Sequence, residues 1–202
     1  MQQNIDHIKE IVAMQQNHAT VVAVVETLDA ATLFEDALRI NAGADRRHTA
    51  TVVREFQPVP AVTVEKGKVV QILTNLLRNA HHACAAAREQ DGRPRQITLR
   101  IEPGAADTVR FVVADDGIGI SAENLTRIFS LGFTTRRDGH GFGLHYSALA
   151  AREMKGALTV HSAGPGHGAT FTLEIPVVGH DLPADGANPS LRSNPPMAVR
   201  RP

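Results

Sequence analysis

The alternation of apolar and polar positions divides the chain into helical and strand-like stretches. Over residues 4–26, Ile5, Ile8, Val12, Ala19 and Val22 recur at intervals of 3, 4, 7 and 3, close to a coiled-coil seam that Gln15 interrupts. Met14, Val21 and Val25 widen that apolar surface, which predicts a long N-terminal helix in need of a partner, in the same chain or another copy. Thr27 or Asp29 is placed to cap a second helix over about 29–41, with Leu33, Phe34, Ala37 and Leu38 inward and Gly43 as its stop. Residues 49–56 (TATVVREF) read as a strand, broken by Pro58 and Pro60. A third helix runs over about 66–90 and ends at Asp91-Gly92. Strands at about 96–101 and 108–114 turn at Pro103-Gly104. Residues 115–143 show little periodicity. A helix at about 143–154 then stops at Lys155-Gly156, and strands at about 157–162 and 169–175 flank a GPGHG turn. Strands interleaved with helices and closed by a hairpin predict an α/β two-layer sandwich with a mixed sheet, plus the long N-terminal helix.

Composition narrows the function. The 202 residues suit one domain with an appendage. Lys and Arg number 21, as do Asp and Glu, so the net charge is zero; with aromatics at 4%, neither a basic surface nor stacking platforms for nucleic acid are expected. Trp is absent, so the core must rest on Val, Ile, Leu and Ala. The single cysteine, Cys84, excludes a disulfide framework and a cysteine-based zinc site, and reads as a packed residue of the third helix. The histidines show no metal-ligand spacing. No apolar run approaches the roughly 18 residues of a spanning helix, and the polar start has no signal-peptide core. A cytoplasmic protein, or the cytoplasmic end of a membrane protein, is expected. From His180 onward, five prolines in 23 residues without apolar periodicity predict a disordered tail.

Four segments carry candidate chemistry. On the third helix Gln71, Asn75, Asn79 and His82 fall within about 80° of one face. Asparagine offers a hard oxygen to Mg²⁺ and N–H donors to phosphate, although a solvated face would look the same. Next, the apolar strand Val112-Val113-Ala114 delivers Asp115 at its tip, followed by Gly117 and Gly119. Glycine lets a backbone approach a ligand closely, and a buried carboxylate can accept an adenine amine; a plain strand-to-loop turn is the alternative. Third, Phe129 and Phe133 precede Thr134, Thr135 and Arg136, a hydroxyl and guanidinium cluster that can reach phosphate oxygens or simply form a charged loop. Last, Gly139, Gly141 and Gly143, followed by Leu144, open a helix whose free N–H groups suit phosphate. A glycine-rich linker would read similarly, and the spacing does not fit the Rossmann fingerprint.

In this order, within about 75 residues, the four segments resemble the asparagine box, first glycine box, phenylalanine box and second glycine box of the ATP-binding catalytic domain of sensor histidine kinases. That domain shares a superfamily with DNA gyrase, the ninety-kilodalton heat-shock chaperone and the MutL repair proteins. The resemblance covers about 45–176, while residues 4–41 resemble the second helix of the dimerisation and phosphotransfer hairpin with its connector. It implies three units: 1–41 hairpin helix and connector, 42–179 ATP-binding catalytic domain, 180–202 tail. It also implies ATP and Mg²⁺ as cofactors. Asn79 would bind the metal, Asn75 would be the upstream polar position, and His82 would contact phosphate. Asp115 would read adenine, with Gly117 and Gly119 in the pocket floor. Phe129, Thr134, Thr135 and Arg136 would belong to the lid region, roughly 120–142, with Gly139, Gly141, Gly143 and Leu144 on the phosphate side. Asn75, Asn79 and Arg136 would be the catalytic group.

One position within the match has its own chemistry. The hydrolysing members of the superfamily carry a glutamate base four residues before the metal asparagine; here Asn75 stands there. A carboxamide has no useful basicity near neutral pH, which disfavours hydrolysis and leaves the γ-phosphoryl group for another nucleophile. The acceptor histidine of such kinases is usually followed by an acidic residue. His7 is followed by Ile8-Lys9 and His18 by Ala19-Thr20, so neither fits. The resemblance therefore implies a histidine-bearing hairpin supplied by a longer kinase or in trans, a response regulator receiver domain as downstream partner, and a homodimer in the full-length protein. A catalytically silent nucleotide-sensing module and a serine kinase of the anti-sigma-factor type remain the alternatives.

Overall fold

The computed structural model describes residues 24–42, 50–136 and 139–177. The elements in order are β1 (Val25–Leu28), α1 (Ala30–Ala42), β2 (Thr51–Phe56), β3 (Val62–Glu65), α2 (Lys66–Asp91), β4 (Gln96–Pro103), β5 (Thr108–Asp115), α3 (Ala122–Leu125), α4 (Gly143–Glu153), β6 (Ala157–His161) and β7 (Ala169–Pro176). Most of the predicted 4–26 helix, the stop at Gly43, His7, His18 and the tail from His180 lie outside the described residues.

Alternation is strict in β4 and β7 of the main sheet. In β4 the side chains of Ile97, Leu99 and Ile101 are buried, while Thr98, Arg100 and Glu102 face outward. In β7 Ala169, Phe171, Leu173 and Ile175 are buried and Thr170, Thr172 and Glu174 are not. One face is therefore apolar and the other wet, as in a sheet covered on one side only. The strand order is β2-β4-β5-β7-β6, parallel between β2 and β4 and antiparallel elsewhere, so the sheet is mixed. The parallel pair needs a long crossover, which β3 and α2 provide.

Helices α1, α2 and α4 supply the second layer. On α2, Val69, Ile72, Leu73, Leu76, Leu77 and Ala80 are buried at helical spacing. Gly92 adopts a left-handed conformation after Asp91 and donates its N–H to the Arg88 carbonyl, which closes the helix where the Asp-Gly pair predicts. Asp29 caps α1 by accepting from the Ala31 N–H at 2.9 Å. Phe34 of α1 stacks on Phe56 of β2, with centroids 5.6 Å apart, and meets Phe111 of β5 at 5.7 Å. Helix α1 thus shares one core with the sheet.

Three elements differ from the sequence reading. Val25 and Glu26 lie in a strand, not in a helix: β1 pairs antiparallel with β3, Thr27 opposite Thr63. Its side chains are largely exposed, so it carries no burial pattern, and its partner is remote in sequence. Strand β3 escaped prediction because it is only four residues long. Helix α3 was read as irregular, yet the Ser121 hydroxyl caps it by accepting from the Asn124 N–H. Among the described residues no helix is long and apolar enough to cross a membrane.

Gly67 sits in the first turn of α2, and a Cβ added there would meet nothing within 4 Å. Gly67→Ala is expected to raise stability by about 0.5 kcal/mol, because alanine restricts the unfolded chain more than glycine does. Urea denaturation would show this as a higher midpoint at unchanged slope.

Candidate functional site

A cleft of about 1740 Å³ opens between α2, the tip of β5, residues 118–136 and 139–142, and the start of α4. It extends beyond a nucleotide's needs, along α2 to Asp36, Arg39 and Lys66. Asn75, Asn79, His82, Asp115, Gly119, Thr134, Thr135, Arg136, Gly139, Gly141, Gly143 and Leu144 all line it. Of the predicted positions only Gly117 and Phe129 do not.

The stripe on α2 faces this cleft, and its members differ in what holds them. Asn75 is buried; its Nδ2 donates to the Ser147 hydroxyl at 3.1 Å and its Oδ1 accepts from Arg78 at 3.2 Å. A Cβ on Gly143 would lie 2.4 Å from that Oδ1, so glycine lets α4 begin directly against α2. One turn on, Asn79 is half-buried on the same lining. His82 is exposed, and its Nε2 lies 3.0 Å from the Arg136 guanidinium. Arginine can only donate, so His82 accepts and its own proton sits on Nδ1. Although its surface is exposed, desolvation of the ring within the fold and the nearby Arg136, Arg78 and His81 hold the His82 pKa below its ordinary value, consistent with a neutral acceptor.

Asp115 ends β5, where it pairs with Ala169 of β7 and Ile97 of β4. Its Oδ1 accepts from the Gly117 N–H at 3.0 Å. Burial pushes its carboxyl up to about 6, against the opposing pull of the Gly117 and Ala169 amides, with Asp116 adding a smaller upward push. Ile118, Ile120, Ala169 and Phe171 give the lining apolar surface.

The loop after Asp115 is stitched down on several sides. Gly117 packs against the backbone of Ala83, and Ile118 donates its N–H to the Ala83 carbonyl. The turn between β6 and β7 holds the other side: the N–H groups of Gly166 and Gly168 donate to the carbonyls of Ile118 and Gly117. Gly119 has φ of +70°, and a Cβ there would meet the Gly164 carbonyl oxygen at 2.1 Å.

Phe129 packs against the core beside Ile128 instead of lining the cleft, and its carbonyl accepts from His145 Nδ1 at 2.9 Å. Phe133 does reach the cleft, with Arg127 over its ring at 5.0 Å. Sequence reasoning missed Ser147, His145 and the support that the 164–168 turn gives to Gly117 and Ile118. Ser147, a hydroxyl one turn after Gly143 and followed by the apolar run Ala148–Ala151, was the signal available for the first.

The arrangement combines a buried acid beside apolar surface with carboxamides, a guanidinium, an imidazole and a glycine-rich helix start in one cleft. These are the recognition groups for a base and a polyphosphate. The family described as "Histidine kinase-, DNA gyrase B-, and HSP90-like ATPase" matches residues 65–179. A sensor histidine kinase of Klebsiella oxytoca, ZraS, is 34% identical over 125 residues, which are 62% of this chain and 25% of that protein. The chain thus spans about a quarter of the length of such relatives. The crystal structure of full-length ShkA in complex with AMPPNP has 26% identity and a TM-score of 0.66, covering 78% of this chain and 32% of that one. The catalytic domain of the histidine kinase ThkA shares the fold at 22% identity and a TM-score of 0.64, covering 77% of this chain and 97% of that one.

Proposed function

This chain belongs to the histidine kinase-, DNA gyrase B- and HSP90-like ATPase family, and on that premise we propose that it binds Mg²⁺-ATP and passes the γ-phosphoryl group to a histidine on another segment or chain. The observation that carries this reading is that Asn79, His82, Asp115, Arg136 and Gly139 to Gly143 line one cleft. Asp115 receives the base amine. The glycine-rich start of α4 offers N–H groups to the phosphates, and Arg136 and His82 offer side-chain contacts.

The donor set suits Mg²⁺. Among the described residues no three His, Cys, Asp or Glu side chains gather as metal ligands, which leaves Asn79 and the phosphate oxygens themselves. Mg²⁺ favours such sites, with one or two protein oxygens, phosphates and retained water. Bound there, it would neutralise phosphate charge. Asn75 supports transfer over hydrolysis, because both ends of its carboxamide are already engaged and neither takes a proton from water. Positioning and charge neutralisation supply most of what phosphoryl transfer needs.

The ATP-binding unit expected at 42–179 extends on this reading to include α1, assigned from the sequence to the 1–41 connector, because Leu33, Phe34 and Ala37 share its core. A response regulator receiver domain would take the phosphoryl group onward, and the working kinase would be a dimer at the cytoplasmic side of a sensor.

Calorimetry with Mg²⁺-ATP tests the site: Asn79→Ala and Asp115→Ala are each expected to abolish measurable binding. Retained affinity in both variants would overturn the assignment. Mixing the chain with a separately made acceptor hairpin and labelled ATP tests the transfer. Acid-labile phosphohistidine is expected; acid-stable phosphate on a protein partner would instead indicate a hydroxyl acceptor.

A further inference from the structure

Arg95, at the entry to β4, lies outside the four motifs and does not line the cleft. Its side chain is 12% exposed, and its two terminal nitrogens bridge separate parts of the fold. Nη2 pairs with Asp91 Oδ2, on the last residue of α2, at 2.5 Å. Nη1 donates to the backbone carbonyl of Asp116 at 3.0 Å. Its Nε is buried without a hydrogen-bond partner among the described residues. A buried guanidinium N–H left unpaired is costly, which indicates that the other two contacts dictate the orientation.

The carbonyl that Arg95 holds belongs to the Asp116–Gly117 peptide. The N–H of that same peptide donates to Asp115 Oδ1 at 3.0 Å. One peptide unit is therefore gripped at its oxygen by a cation and at its nitrogen by the carboxylate at the tip of β5. Asp116 is itself fixed, exchanging hydrogen bonds with Gln96 through its N–H and Oδ1. We infer that Arg95 is a positioning residue for Asp115, acting through the Asp116–Gly117 peptide to fix one carboxylate oxygen so that the other is presented to a nucleotide base. The inference rests on the reading of Asp115 as the base-binding acid.

The physical basis is polarisation along a hydrogen-bonded chain. A cation on the carbonyl oxygen makes the peptide N–H a better donor, which favours the ionised carboxyl and restricts its rotation. The Asp116 carboxylate, the Cys84 thiol and the Asp91 carboxylate are the other titratable groups around this chain of contacts.

The test uses Arg95→Gln, Arg95→Lys and Asp91→Asn in the full chain. Carbon-13 NMR of the aspartate carboxyls reports the titration of Asp115, and calorimetry reports Mg²⁺-ATP affinity. Arg95→Gln is expected to raise the Asp115 pKa by about half a unit to one unit and to weaken ATP about three- to tenfold. Arg95→Lys should recover part of both, because lysine keeps the charge but not the two-pronged grip. Asp91→Asn removes the exposed anchor, should shift both readouts less in the same direction, and serves if Arg95→Gln does not fold. Unchanged Asp115 titration in Arg95→Gln and Asp91→Asn overturns the inference. Asp115→Ala, measured alongside, separates the two failures: if it keeps ATP affinity, the base-binding reading itself is wrong.

Discussion

Exchanging Asp115 for asparagine is expected to stabilise the free protein at pH 7.5 while weakening its grip on ATP. The carboxyl sits at about 6 in the fold against an ordinary value of 3.8, with burial as the leading cause. A raised carboxyl pKa means that the folded state binds the proton more tightly than the unfolded chain. The resulting stability is fully present below about pH 4 and is lost as pH rises through about 6. Above pH 7 the fold carries an ionised, desolvated group at roughly 2–3 kcal/mol relative to its protonated form. Asparagine has the same shape and can accept from the Gly117 N–H without that charge. The variant should therefore match the parent near pH 4 and exceed it by an amount that grows through pH 6. Urea denaturation at several pH values measures this, and a pH-independent difference would refute the burial argument. Affinity should fall at least about tenfold at pH 7.5, because a charge-assisted hydrogen bond becomes a neutral one. A group that weakens the free fold yet strengthens binding is the pattern expected of a functional residue.

The helical layer and the sheet could be read from the chain wherever burial imposes a period. Ile97, Leu99 and Ile101 alternate with polar neighbours, and the buried set on α2 follows a helical repeat, so pattern and structure coincide there. Val25 to Leu28 defeated the reading for the opposite reason. Three of the four are exposed, and the strand is defined by backbone pairing to Val62–Glu65. Periodicity reports which face is buried and says nothing of a ribbon that buries neither. Residues before Val24 fall outside the description, so the apolar seam from Ile5 to Val22 is an expectation still.

At the site, angular spacing on one helix put Asn75, Asn79 and His82 on a common lining, because helix geometry alone fixes that relation. The division of labour among them could not be read the same way. Asn75 is tied to Ser147 and Arg78, contacts that depend on where α4 docks. Phe129 and Phe133 look equivalent in sequence, yet one packs against the core and the other lines the cleft. The turn at 164–168 read as a hairpin connection only; its amides support Gly117 and Ile118, some 50 residues earlier, and no local pattern encodes that pairing.

Gly117 packs the loop after β5 directly on the backbone of α2, and Gly117→Ala is expected to be among the most damaging small substitutions in the chain. A Cβ there would lie 2.5 Å from the Ala83 carbonyl carbon, 2.7 Å from its Cβ and 2.8 Å from its oxygen. Two of those three atoms are backbone of a long helix, so no rotamer change relieves the overlap. The loop must lift from α2, which strains the Ile118 N–H bond to Ala83 and the Gly168 N–H bond to Gly117. A loss of about 2–4 kcal/mol is expected, as for overpacking at a site without slack. Lifting the loop also carries the Gly117 N–H away from Asp115, so ATP affinity should fall with stability. Ala83→Gly in the same chain removes only the Cβ overlap, so it should restore a minor part of the loss after allowing for its own cost of about 1 kcal/mol in a helix. Thermal and urea unfolding of both single variants and the double variant measure the coupling. Full restoration by Ala83→Gly would mean that the side chain, and not the helix backbone, sets how closely the loop can approach.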